Sequence, residues 1–291
     1  MNLKALPDLL KRSFTDWSDD NCTRLGASLA FYTILSVSPL VVLVIAIVSL
    51  FLSRSTAQTE LLNQVQSTIG SEGRAAVQSM LAGSEKASAG ILATLIGLAT
   101  LLFGASSVFG ELRSALNTIW DATPKQSSGV AAFLRERFFS FGMVLSVGFL
   151  LLASLLASTA LAVLSKFAAQ HLPIPAPVLA VANFLVSFIG IAILFALIFK
   201  YVPETKVEWA DVRLGAVATA LLFTIGKSLL GLYLGKASPG SAYGAAGSLV
   251  VLVIWVYYSA QIFYFGAEFT HIYSLFRHGT LPAPDSASKS L

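Results

Sequence analysis

An all-α, polytopic membrane fold is what this sequence predicts, and three observations predict it. Charged residues make up 12% of the 291 positions and hydrophobic ones 56%, whereas soluble domains carry about 25% charge. Several apolar runs exceed the eighteen or so residues that mark a membrane-spanning helix. Lys and Arg gather in alternate connections between those runs.

The runs place six spans near residues 29–52, 89–110, 138–165, 178–200, 212–234 and 244–270, within one membrane domain covering 1–281. An even number puts both termini on one side. Thirteen Lys and Arg fall in the two terminal segments and the second and fourth connections, against five in the opposite connections. The basic side is the cytoplasmic one, so both termini are expected in the cytoplasm. The first run, Leu29 to Leu52, is too long for the apolar region of a cleavable signal peptide. Cys22 is the single cysteine, which excludes a disulfide within one chain. The formal charge of +4 flanks the spans and is not a nucleic-acid signature.

In the first outer connection, Leu61, Leu62, Val65 and Ile69 recur at helical spacing, and Val77, Met80 and Leu81 follow. Two short amphipathic helices are expected, lying on the outer membrane surface or capping the bundle. The third outer connection, "HLPIPAPV" (171–178), reads as a stiff extended segment. Residues 282–291, "PAPDSASKSL", read as a disordered polar tail.

Lys227 is the one charge well inside a predicted span, roughly 6 Å outward of its centre at 1.5 Å per residue. An ammonium there costs about 2.5–3.5 kcal/mol on insertion scales. Either it snorkels to the outer interface, or it faces the bundle interior and attracts carboxylate or phosphate. Glu268 is expected near the inner rim, roughly 20 Å from Lys227 along the membrane normal, too far for one salt bridge. Tyr257, Gln261, Tyr264 and Glu268 share one helical stripe, which serves as glue between helices or as a pathway. The first span carries Arg24, Ser28, Tyr32 and Ser36 at four-residue spacing, followed by Ser38 and Pro39. Pro39 frees a backbone carbonyl that must find protein, water or a hydroxyl. Gly90, Gly97 and Gly104 form a seven-residue repeat suited to close helix packing. Glu111, Arg113, Arg24, Lys200, Arg213 and Glu268 are expected as the solvated, charged inner rim. His171, His271 and His278 show no metal-ligand spacing, and neither a phosphate loop nor a nucleophile elbow is present. No cofactor, no metal and no catalytic residue is predicted.

The stretches "GASLAFYTILSVSPL", "YVPETKVEWADVRLGA", "GKSLLGLYLG" and "YGAAGSLVVLVIWVYYSAQIFYFGAEFTHIY" together resemble the YihY/BrkB family of bacterial inner-membrane proteins, from about Arg24 to Tyr273. The resemblance implies six helices in the inner membrane, cytoplasmic termini and an association with virulence and serum resistance. It also implies a short list of positions to test: Arg24, Tyr32, Ser36, Pro39, Lys227, Tyr233, Tyr243, Gly244, Gly247, Trp255, Gly266 and Glu268. The family's older ribonuclease BN label finds no metal site, nucleophile or basic aromatic surface in these residues.

Three functions follow. Lys227 and Arg24 motivate a transporter or flippase for an anionic amphiphile, such as a lipid or lipopolysaccharide precursor, or for an organic anion. A sodium or potassium/proton antiporter would need Glu268 as its exchanging carboxylate. A non-transporting scaffold would dock envelope-assembly proteins on the outer connection. The expected partners are the lipid bilayer and one of these substrates or proteins, without nucleic acid. The candidate pathway residues are Lys227, Arg24, Tyr32, Ser36, Pro39, Tyr257, Gln261 and Glu268.

Overall fold

The computed structural model describes residues 5–49, 53–87, 104, 107–122, 176–237, 243–244 and 246–281, and the regular elements among them are helices. These are α1 (Leu6–Asp19), α2 (Cys22–Val48), α3 (Arg54–Ile69), α4 (Ser71–Ala87), α5 (107–119), α6 (Ala176–Tyr201), α7 (Trp209–Ala237) and α8 (Gly247–His278). Three of them, α6, α7 and α8, hold apolar stretches long enough to cross a membrane. The predicted span 138–165, most of 89–110, the first part of "HLPIPAPV" and the tail 282–291 lie outside the described residues.

Helix α8 is the hub, packing against α7, α2, α1 and α4. The α7–α8 contact is set by two reciprocal Gly/Thr pairs. A Cβ placed on Gly215 would collide with Thr270, and one on Gly266 would collide with Thr219. Each threonine hydroxyl donates to the carbonyl four residues back on its own helix, Thr219 to Gly215 and Thr270 to Gly266, both at 2.7 Å. Both threonines are fully buried without leaving a polar atom unpaired. Small residues four apart on facing helices allow the backbones to approach closely, which is how helices associate in lipid.

Beside this seam lies an aromatic core. Phe195 and Phe199 of α6 meet Phe263 of α8 at ring-centroid distances of 5.7 and 5.2 Å, and Trp120 closes on Phe199 at 5.7 Å. Helix α2 approaches α8 at Gly26, where a side chain would strike Gln261. Gly104, from the predicted small-residue repeat, abuts the Ser36 backbone in the same way.

Ser53 caps α3 by accepting from the Thr56 amide at 3.2 Å, and the chain reverses into α4 at Gly70, whose φ of +94° favours glycine. The apolar face of this pair packs on the bundle: Ala57, Leu62 and Val77 against Val41, Ile45 and Val48, and Ile69 and Ala76 against Leu252. None of the exposed large hydrophobic side chains lies on α3 or α4.

Several boundaries differ from expectation. Helix α2 starts at Cys22, seven residues before the predicted span. Helix α6 already includes Ala176 and Pro177, inside the expected extended connector. Helix α8 runs on to His278, so Glu268 stands well inside it. Its 32 residues span about 48 Å, more than the roughly 30 Å of hydrocarbon. Helix α1 was not anticipated at all. It is amphipathic, with Leu9 and Ser13 buried against α8 while Leu10 and Phe14 face outward.

The Gly/Thr seam makes a direct prediction. Gly215→Ala and Gly266→Ala should each destabilise the purified protein by about 1–3 kcal/mol through overpacking. Gly231→Ala, at a position where a Cβ meets nothing, should be neutral or slightly stabilising. Denaturant-dependent unfolding in detergent measures all three.

Candidate functional site

Helix α1 and the two turns beside it build a cavity of about 660 Å³ against the last third of α8. Pro7 sits at the start of α1, and Leu9 seats the helix on Phe269 and Ile272. The chain then doubles back through Asp20 and Asn21. Asn21 takes a left-handed conformation (φ +52°), which asparagine tolerates, and its side chain donates to the Asp19 carbonyl at 3.0 Å. Asp121, just beyond α5, is also left-handed (φ +47°). These reversals bring Asp16, Asp19, Asp20 and Asp121 to the same cavity as Glu268 and His271 of α8. Six acidic side chains line it against two basic ones, Lys11 and Arg12. Ala5 and Leu281 line it as well, so both ends of the described chain lie on one side of the bundle.

Glu268 is 1% exposed. Its Oε1 accepts from the Cys22 thiol at 3.7 Å, and its carboxyl is hydrogen-bonded to that of Asp20. The Asp20 carboxyl neighbours it, in the turn outside the spans. Burial is the largest influence on Asp20 and pushes its pKa up to about 6. Repulsion from Asp121, Asp16 and Asp19 acts in the same direction, and the contact with Glu268 opposes it. Asp16 is raised too, chiefly by burial and by Asp19, with Arg12 opposing. His271 meets the backbone of Ile119, and its ring lies 6.1 Å from that of Trp120. The site therefore combines a buried carboxyl, a second carboxyl that titrates near neutral pH, and a net negative wall.

Glu268 was expected in the solvated rim; it is enclosed instead, because α1 folds over it. Of the other predicted pathway residues, none lines this cavity. Gln261 donates to the Cys22 carbonyl at 3.3 Å and so is committed to α2. Tyr257 is half-buried against Tyr258, with ring centroids 5.3 Å apart. On α2 the face turned to α8 carries Cys22, Gly26 and Ala30, rather than the predicted polar set. Arg24 is exposed, Tyr32 is half-buried beside Phe31, and Ser36 is buried with its hydroxyl on the Thr33 carbonyl at 3.0 Å. Pro39 stands within continuous α2. Lys227 is half-buried on α7 and makes no hydrogen bond or ion pair with the described residues. Tyr233 and Tyr243 are exposed, Gly247 is buried, and Trp255 is half-buried.

The expected charged rim is partly a set of ion pairs. Arg113 binds Glu204, and the Lys200 ammonium donates to the Val207 carbonyl. Asp211, 1% exposed, accepts from Arg277 at 2.7 Å and from Ser274 at 3.2 Å, with His278 at 3.3 Å. Glu208, Asp211 and His278 converge closely enough to ligate a cation, a cluster that sequence spacing does not reveal. Arg277 already bridges both carboxylates, so the cluster works as a clamp between the first turn of α7 and the last of α8.

Residues 13–289 match the family described as "Virulence factor BrkB". The chain belongs to that family. It is 27% identical to a UPF0761 membrane protein of Rhodospirillum centenum, over 95% of this chain and 60% of the relative. It is 29% identical to one of Alteromonas mediterranea, over 87% and 83% of the two chains. A third, from Cronobacter sakazakii, is 27% identical over 90% and 86%. The chain spans about three fifths of the length of the first curated relatives it matches. No solved structure matches significantly. These relatives carry the name of membrane proteins and not of enzymes, and this BrkB-family chain is a helical membrane protein.

The position of Asp20 predicts a pH-dependent stability. Its folded pKa lies above the unfolded value of 3.8, so the folded state holds more protons between about 4 and 6 and loses stability as pH rises through that window. Asp20→Asn should therefore unfold at a higher temperature than wild type at pH 7.5. A gain of roughly 2–4 °C corresponds to about 1 kcal/mol, after discounting for a half-exposed group. The two proteins should converge near pH 4, as thermal unfolding in detergent will show.

Proposed function

We propose that the protein is a multi-pass transporter of the bacterial inner membrane, with both termini cytoplasmic, that exchanges a cation for a proton at Glu268 and Asp20. The observation that carries this reading is a 1%-exposed carboxyl in contact with the Asp20 carboxyl, lining a net-acidic cavity. Ionisable groups buried within membrane helices commonly mark ion and proton pathways. Asp20 supplies a neighbouring group that changes charge near neutral pH. The Lys and Arg asymmetry supports cytoplasmic termini, as does the meeting of Ala5 and Leu281 at one cavity.

In proteoliposomes carrying an internal pH dye, external sodium or potassium should change the internal pH. Glu268→Gln should slow that response roughly tenfold or more. No response to either cation, or an unchanged rate in the variant, would refute the exchange.

A second reading keeps the anionic amphiphile or organic anion as substrate. It rests on Lys227, half-buried on α7 without a counter-charge among the described residues. Liposomes loaded with labelled anionic lipid or dicarboxylate test it, with Lys227→Ala expected to slow transfer roughly tenfold. The acidic wall of the cavity disfavours an anion there, so this route would run elsewhere in the bundle. The scaffold reading has less support, since the apolar face of α3 and α4 is already used against the bundle.

A further inference from the structure

Along α8, two buried polar atoms lack a hydrogen-bond partner among the described residues, Gln261 Oε1 and Tyr264 Oη, and Glu268, whose carboxyl hydrogen-bonds to Asp20, stands next on the same stripe. They are spaced three and four residues apart and so share one face of the helix. Tyr264 is 0% and Glu268 1% exposed. All three side chains also converge on a single residue of α2. Glu268 meets the Cys22 thiol at 3.7 Å, Gln261 donates to the Cys22 carbonyl at 3.3 Å, and Tyr264 lies within electrostatic reach of Cys22. Glu111 of α5 is also within electrostatic reach of the same tyrosine.

One buried polar group without a partner costs about 1–3 kcal/mol, and two such groups three residues apart on one stripe call for a partner. Buried water, which typically makes two to four hydrogen bonds to such groups, resolves the cost where polar atoms cluster. We infer that Gln261, Tyr264 and Glu268 hold a file of ordered water between α8, the start of α2 and α5, and that this file carries protons from the acidic cavity into the bundle. An oxygen acceptor, a phenolic hydroxyl and a carboxyl in series can pass a proton by exchanging hydrogen bonds, with no net change at the intermediate groups. The groups surrounding the lower end are Asp16 and Asp20 from the α1 side, Cys22 from α2, Asp121 and Glu111 from α5 and its end, and His271 on α8. The positive neighbour on α1, Arg12, faces Asp16. The proton-carrying role rests on the exchange reading above; the hydration of the seam does not.

Two measurements separate them. Radiolytic hydroxyl-radical footprinting of the intact protein in detergent labels buried aromatic residues only where bound water is adjacent. Tyr264 should be labelled despite its complete burial, and Gln261→Met should lower that labelling severalfold. An unlabelled Tyr264 in the wild-type protein would overturn the inference. In the proteoliposome assay, Tyr264→Phe, which removes one oxygen at nearly constant volume, should slow proton flux roughly tenfold. Cation-induced thermal stabilisation of the same variant should match wild type. Wild-type flux in Tyr264→Phe would also overturn the proton role. A labelled Tyr264 in a protein that moves no protons at all would sustain the hydrated seam and sink the exchange reading alone.

Discussion

The reciprocal seating of Thr270 over Gly215 and Thr219 over Gly266 sets how closely α7 and α8 approach, and the placement of α8 follows from it. In a bilayer no hydrophobic force draws two apolar helices together, so close backbone contact and satisfied hydroxyls must hold them. With its back fixed to α7, α8 offers its opposite side to α2, α1 and α4. Gln261 and Glu268 then fall opposite Cys22, where a looser packing would leave them to lipid or water. The Asp211–Arg277 clamp closes the open end of the same hairpin, beyond Gly215 and Thr270.

Helix α1 is the element that turns a surface carboxylate into a buried one. Without it, Glu268 would stand at the open end of the bundle, as composition alone suggests. With Leu9 packed on Phe269 and Ile272, α1 both excludes water from Glu268 and brings three aspartates to it. Burial and, after it, like charges act together on Asp20 and push its pKa up to about 6. Such an arrangement costs stability, because the ionised form of Asp20 is disfavoured in the folded state.

Much of the architecture was legible beforehand. Spans near 178–200 and 212–234 needed only hydropathy, because a helix in lipid must satisfy its backbone internally and carry apolar side chains throughout. Gly104 declared close packing through the absence of a side chain, whereas the role of Gly266 against Thr219 did not show in the sequence. The stripe Tyr257, Gln261, Tyr264 and Glu268 was visible as a period, yet its upper and lower members behave differently. Gln261 bonds α2, whereas Glu268 lines the cavity. The acidic run "DWSDD" lies in the sequence before the first span, but its meeting with Glu268 depends on the turn at Asp20 and Asn21. Hydropathy averages cannot register a short amphipathic helix whose apolar side is only a few residues wide.

The sequence by itself determined the membrane class, the helical content, the family and the approximate reach of the long helices, since each depends on local composition and backbone satisfaction. Only the tertiary structure decided which polar residues act together. Asp20 and Glu268 are 248 positions apart in the chain, and Glu208, Asp211 and His278 meet across the two ends of a hairpin. Their electrostatics come from burial and from neighbours supplied by other helices, quantities that no single helix contains. Lys227, the most conspicuous charge in the sequence, gathers no partner among the described residues, while the quieter Glu268 acquires a site.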